Sequence, residues 1–250
     1  MTKSAIKSFI TGLLCHLTCC SLFAQKSDAR YFELRVYYAA PGKLDLLVDR
    51  FKNHTTRIFE KHRMENIGYW VPVNNDRNTL YYILAYPTKS ARKESWDSFS
   101  ADPEWKELAT KSGKLVDSIV SVFMNSSDIL PIINATPSGQ ERIFELRTYL
   151  CFPGRLPNLV TRFTNHTIKL FVKHHMDNIA YFASEENAGV QPKLIYLLAY
   201  PSLEASTKSW ADFRTDPEWI AVRDASEKDG KIVDKVESVF LKPLNFSKIK

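Results

Sequence analysis

Cysteine is scarce in this chain. Its 250 residues hold 4, and Cys15, Cys19 and Cys20 fall within the first twenty positions, leaving Cys151 alone in the remainder. One cysteine cannot close an internal disulfide or build a cysteine-based zinc site. Glycine is scarce as well, 8 in all, and neither a Gly-rich phosphate loop nor a G-x-S-x-G elbow is present. Charge of one sign does not accumulate: 34 Lys+Arg face 28 Asp+Glu, with no basic block and no basic–aromatic interleaving. Nucleic-acid binding is therefore excluded. Long apolar runs are missing except for one at the N-terminus, which excludes a polytopic membrane protein. What is abundant argues for packed cores, since 44% of residues are hydrophobic and 12% aromatic, where a disordered chain would have few of either.

The N-terminal run has the layout of an export signal. Lys3 and Lys7 precede an apolar stretch from about Phe9 to Ala24, and no acidic residue comes before Asp28. Its 16 residues include His16 and fall short of the ~20 that a spanning helix needs, so residues 1–24 read as a signal peptide cleaved after Ala24. The expected location is periplasmic or secreted, with no membrane attachment after cleavage. Lys+Arg then falls from 34 to 32 while Asp+Glu stays at 28, so the net charge drops from +6 to +4.

An internal duplication organises the remainder. Residues 32–70 align without gaps on residues 144–182, and 22 of the 39 pairs are identical. FELR, PGKL/PGRL, RFxNHT, LAYP, DPEW, GKLVD/GKIVD and SVF all recur in order, with a two-residue insertion before the second LAYP and a three-residue insertion after the second DPEW. A period near 112 residues is too long for a solenoid unit and marks two tandem domains. The boundaries read as 30–125 and 142–243, joined by a linker at 126–141 rich in Pro, Ser and Asn.

Each copy carries the same periodicities. Tyr31–Tyr37 alternates as a strand, with Phe32, Leu34 and Val36 on one face and Glu33, Arg35 and Tyr37 on the other. Pro-Gly turns the chain into a helix of about twenty residues with an apolar stripe through Leu44, Leu47, Phe51, Ile58 and Phe59. Ile67–Val71 and Leu80–Tyr86 form a hairpin around an Asn-rich turn, Ala91–Phe99 is helical, and Asp102-Pro103 starts another helix. Val116–Met124 is the last strand. The order β-α-β-β-α-β is the ferredoxin-like arrangement, in an α+β protein. Helices cover one face of such a sheet, so two tandem copies can cover each other's bare faces in a pseudo-dimeric barrel. The face carrying Glu33, Arg35 and Tyr37, with Glu145, Arg147 and Tyr149 in the second copy, is expected to point inward or to the interface, its charges paired.

The set E-L-R-x-Y, PGKL, RFxxHT, KH-x-M-x-NI-x-Y, LAYP, DPEW and V-x-S-V-F resembles the NIPSNAP family, once per copy over nearly all of the mature chain. The resemblance implies a dimeric α/β barrel, a fold in which some members are small-molecule oxygenases and isomerases. It implies no transferable catalytic mechanism. Animal members are associated with mitochondria and vesicles, roles that do not carry over to an exported tandem protein of bacterial type. Arg63 and His175 stand where Gly is expected after the KH pair, and Ala180 replaces Gly68.

Candidate residues come from the repeat. His54 and His62 recur as His166 and His174; eight residues apart on a helix, they lie ~12 Å apart along its axis and cannot share a metal. No metal and no cofactor is expected. His62 and His174 fall in the apolar stripe and read first as buried rings hydrogen-bonded at a helix end, second as general acid/base groups. Arg35 and Arg147 are the other catalytic candidates; Glu33, Tyr37, Glu145, Tyr149, Tyr86 and Tyr200 are candidate ligand contacts. The repeated tryptophans read as core anchors, and PGK/PGR as a turn before a helix rather than an anion site. Two functions stay open. One is a small-molecule-binding or interaction scaffold; the other is a cofactor-independent oxygenase- or isomerase-like enzyme working in the barrel interior. The partners left open are a small-molecule ligand and a second copy of the chain.

Overall fold

Residues 28–127, 129, 141–185 and 190–250 are described by the structure, a computed structural model. The expected signal segment 1–24 lies outside them, as does residue 128 and the stretch 130–140 of the expected linker. The alternating segment beginning at Tyr31 forms strand β1 (Tyr31–Ala39). The Pro-Gly turn, with Gly42 at φ 68°, feeds one continuous helical rod: α1 (Leu44–Arg50), a π-helical turn (Phe51–Thr55) and α2 (Thr56–Lys61). The rod is the expected long helix, except that a wide turn interrupts it at the RFxNHT motif. There Thr55 Oγ1 donates to the Arg50 carbonyl and Thr56 Oγ1 to that of Phe51, each five residues back.

The hairpin β2 (Glu65–Pro72) and β3 (Thr79–Tyr86) follows, closed by Asn75, whose Oδ1 accepts from the Thr79 N–H at 2.7 Å. Helix α3 (Lys89–Ala101) is capped by Thr88, whose hydroxyl accepts from the Ala91 N–H. Asp102 then caps α4 (Pro103–Ser112) through the Glu104 N–H, as its Asp-Pro sequence predicts. Strand β4 (Val116–Ser126) completes the half. The second half repeats this order: β5 (Ile143–Cys151), α5 (Leu156–Arg162), a π turn (Phe163–Thr167), α6 (Ile168–Lys173), β6 (Asp177–Ser184), β7 (Lys193–Tyr200), α7 (Leu203–Thr215), α8 (Pro217–Ser226) and β8 (Val233–Pro243).

The strands close into one barrel in the order β1-β3-β2-β8-β5-β7-β6-β4. Closure between the halves rests on two short antiparallel seams, Trp70–Pro72 with Leu241–Pro243 and Met124–Ser126 with Phe182–Ser184. The dimeric barrel that two ferredoxin-like sheets can make is thus complete inside one chain. Its interior is apolar: Phe32 and Leu34 of the first half meet Phe144, Leu146 and Phe182 of the second, and the Phe32 and Phe182 rings lie 5.0 Å apart. An eight-stranded barrel has an interior that side chains just fill.

One expectation is corrected here. The strand face carrying Glu33, Arg35 and Tyr37 looks outward, onto the helices of its own half, and so does the face carrying Glu145, Arg147 and Tyr149. Tyr37 packs with Leu47, Phe51 and Phe59 of the helical rod, and Glu33 bonds to side chains of α3. The physical reason lies in partners. Inside the barrel each sheet meets only the apolar face of the other, whereas the helices bring arginine, tryptophan and hydroxyl groups that can satisfy a buried charge. The odd-numbered β1 residues therefore form the helix-facing layer, and Phe32 and Leu34 fill the barrel.

Trp70 and Gly68 show how tightly that interior is filled. A Cβ on Gly68 would stand 2.1 Å from the Trp70 ring. In the second half the same two places hold Ala180 and Phe182, a smaller ring leaving room for a methyl.

Candidate functional site

Eight of the ten candidate residues meet in two equivalent clusters, one per half, between the sheet and its helices. In the first, Glu33 is fully buried. Its Oε1 accepts from Arg35 at 2.6 Å and Arg92 at 3.0 Å; its Oε2 accepts from Arg92 at 2.8 Å, the Tyr86 hydroxyl at 3.0 Å and the Trp96 indole at 3.2 Å. Burial alone would push the Glu33 carboxyl up; the Arg92 and Arg35 guanidinium groups outweigh it and hold the carboxyl below its usual range. Arg35 also donates to the Tyr37 hydroxyl at 3.2 Å and lies over the Trp96 ring at 4.4 Å. Burial keeps Tyr82, Tyr86 and Tyr69 protonated far above neutral pH.

The second cluster reuses the frame with other partners. Glu145 Oε1 accepts from Arg147 and from the Ser238 hydroxyl, both at 2.6 Å, and Oε2 from Tyr200 at 2.8 Å and Trp210 at 2.7 Å. Arg147 donates through Nε to Tyr196 at 3.0 Å and lies over Trp210 at 4.1 Å. Where the first half has Arg92, the second has the fully buried Ser206.

These contacts limit the chemistry. Each glutamate has both oxygens occupied by donors, so neither has a free lone-pair direction with which to take a proton from a substrate. The only cysteine among the described residues, Cys151, is buried, and burial pushes its thiol up to about 11, too high for a nucleophile at neutral pH.

His62 and His174, the remaining two candidates, sit apart from these clusters at the end of the helical rod. The Nε2 of each ring meets a carboxylate: His62 Nε2 lies 2.6 Å from Asp102 Oδ2, and His174 Nε2 lies 2.7 Å from Asp216 Oδ2. His62 Nδ1 also contacts the Ser98 hydroxyl at 3.1 Å. Lys61 and Lys173 reach the same carboxylates at 2.7 Å, and both aspartates are held well below the usual carboxylate range by the lysine first and the histidine second. The KH and DPEW motifs are thereby one device, in which the cap of the second helix ties down the end of the first. The next residue explains the expected glycine. Arg63 and His175 have φ of 60° and 58°, and Met64 N–H reaches back to the Phe59 carbonyl, a Schellman closure whose left-handed position glycine favours.

Several site residues had no clear sequence signal. Arg92 is absent from the second copy, so a search through repeated residues passes over it. Arg50 and Arg162 are repeated, and their position under a tryptophan could have been suspected from RFxNHT and DPEW together. Arg50 lies over Trp105 at 5.1 Å and Arg162 over Trp219 at 5.3 Å. Only Arg162 has a carboxylate: its Nη1 donates to Glu227 at 3.1 Å and to Ser226 at 3.2 Å.

The outer layer carries grooves. One of about 480 Å³ runs past Lys61, His62, Arg63 and Ser98, and another of about 670 Å³ lies between α5 and α8 over Arg162. Among the described residues no group of three or more His, Cys, Asp or Glu could hold a metal, and no helix is long and apolar enough to cross a membrane.

Two β-α-β-β-α-β sheets closed face to face define the class of dimeric α/β barrels, here fused within one chain. The solved structures that share this barrel are distant in sequence. A Fusobacterium nucleatum protein named "putative monooxygenase" superposes with a TM-score of 0.57 at 8% identity, covering 87% of this chain and 93% of its own. An anthrone oxidase-like protein superposes at 0.54 and 14% identity, covering 89% and 95%. Such likeness establishes the fold. The particular family is fixed by sequence: the NIPSNAP family model matches residues 32–131 and again 144–248, and the chain belongs to that family. Protein NipSnap homolog 3A of Pongo abelii is 27% identical over 142 residues, 54% of this chain; the chain spans 55% of that relative's length.

Proposed function

We propose that this protein is a small-molecule-binding scaffold without turnover, and that it binds on its helix-covered outer layer rather than inside the barrel. One observation carries this reading. The barrel interior is occupied by apolar side chains from both halves, and the strand carboxylates facing the helices have every oxygen engaged. A general base needs an open acceptor direction beside a space for substrate. The rigidity that such buried ion pairs confer suits a frame whose surface grooves do the binding. The setting we propose is exported, on the strength of the N-terminal segment.

A second reading has one point in its favour: proteins sharing this barrel bear the names monooxygenase and anthrone oxidase-like. Under it, the tyrosine-rich layer around Arg35 and Tyr82 would hold an electron-rich substrate against dioxygen without a cofactor. The two readings separate in one experiment. Purified full-length protein is analysed by untargeted mass spectrometry for retained molecules and then incubated in air with an anthrone. Scaffold binding predicts a retained compound recovered unchanged and no oxygen uptake above the uncatalysed rate. Uptake that is lost in Arg35→Lys would overturn it in favour of the oxygenase.

A further inference from the structure

The groove over Arg162 is less charged than the matching surface of the first half, and the difference is written in the side chains. Where the first half carries Asp45, Asp49, Glu107 and Lys111, the second carries Pro157, Thr161, Ala221 and Ala225. The three residues inserted after the second DPEW helix, Glu227, Lys228 and Asp229, stand beside this surface. Truncated side chains and an added rim leave about 670 Å³, within the range of a small-ligand site. The π turn at Phe163–Thr167 presents Asn165 and His166 at the edge, and wide turns of this kind recur at functional sites.

Arg162 forms part of the floor. Its side chain is 4% exposed and its Nε is buried without a hydrogen-bond partner, although Nη1 is paired with Glu227. The guanidinium charge is thus already matched within the protein, while a donor remains to be satisfied. Lys228 and Asp229 on the rim carry opposite signs. A carboxylate entering here would meet Asp229 and an Arg162 already paired with Glu227, with only Lys228 on the rim to offset it, whereas a neutral oxygen acceptor carries no such charge. The walls offered to the rest of the molecule are Pro157, Ala221, Val222 and Ala225.

We infer that this groove is a binding site in the second half for a small, neutral, mostly apolar molecule bearing a carbonyl-type acceptor. This rests on the scaffold reading and names its ligand class. Matched aromatic probes test it on the full chain: acetophenone, benzoate and ethylbenzene, followed by the methyl NMR shifts of Ala221, Val222 and Ala225. Acetophenone is expected to shift these methyls saturably, about fivefold more tightly than ethylbenzene, the worth of one hydrogen bond, with benzoate weaker than acetophenone. Ala221→Glu with Ala225→Lys restores the first half's charged side chains at exposed positions, and should abolish the shift of the Val222 methyls, which this variant keeps, with the melting temperature unchanged. Tighter binding of benzoate, the absence of any saturable shift, or binding that survives the double variant would overturn the site. If mass spectrometry finds a retained compound that the double variant still retains, the groove is wrong and the scaffold stands.

Discussion

Glu33 and Glu145 occupy the same place in the two halves and are held by different means. Glu33 is clamped by two guanidinium groups, Arg35 and Arg92, while Glu145 has one, Arg147, with the Ser238 hydroxyl taking the remaining direction on Oε1. Duplication preserved the requirement and not the solution: a carboxylate buried between sheet and helices must have its acceptor directions filled, and either an arginine or a serine can fill the last one. At two further places where the halves diverge, the change in one residue is matched in a neighbour. Gly68 goes with Trp70 and Ala180 with Phe182; Arg162 goes with Glu227 where Arg50 stands over Trp105 without an ion pair.

The largest effect expected from breaking this comparison is at the glutamates. Glu33→Ala leaves the largely buried Arg35 and the partly buried Arg92 without their carboxylate and should destabilise by about 3–5 kcal/mol in a urea melt, with Glu145→Ala at the low end of that range because it strands one guanidinium. An equal or larger loss for Glu145→Ala would show that Arg92 adds nothing. Next comes the barrel interior. Gly68→Ala drives a methyl into the Trp70 ring and should cost about 1–3 kcal/mol, and Gly68→Ala with Trp70→Phe, which copies the second half, should recover most of it. Failure of the double variant to recover would mean that Gly68 is required by its backbone and not by its neighbour.

The histidine ties should come next. His62→Ala and His174→Ala each leave a buried aspartate short of a partner and should cost about 1–3 kcal/mol; unchanged urea midpoints in both would remove the structural role. Their aspartates give the pH dependence its sign. Asp102, Asp216 and Glu33 have folded pKa values below their unfolded ones, so the native state binds fewer protons and acid favours the unfolded chain. The stability they contribute is present above the unfolded carboxylate values of about 4 and is lost as pH falls below them. The urea midpoint should hold from neutral pH to about 5, fall below about 4, and fall less steeply in Asp102→Asn with Asp216→Asn. The smallest effect is at the left-handed positions: Arg63→Gly and His175→Gly should each stabilise by up to about 1 kcal/mol, the relief of the positive φ offset in part by the unfolded-state entropy of glycine.

Much of the fold could be read from the chain itself because its elements are locally encoded. Alternation gave β1, the Asp-Pro pair placed the start of α4, and the Asn-rich turn placed the hairpin; each depends on neighbours within a few residues. The clusters were legible in membership but not in direction. Glu33, Arg35 and Tyr37 share a face by the two-residue strand period, yet that period is silent on which side is the barrel, since both faces end up covered. The π turn was invisible for a related reason, because the apolar stripe before and after it fits an ordinary helix.

The sequence by itself determined that two copies of one domain exist, what elements each contains and in what order, and the family they belong to, because all of this follows from spacing along the chain. Only the tertiary structure decided that the two sheets close on each other within one molecule, that the charged strand face turns to the helices, that Asp102 is the partner of His62, and that a groove opens over Arg162. Those depend on groups distant in sequence arriving at one place. Whether a buried charge is satisfied, or a surface left hollow, is settled by which side chains arrive there together.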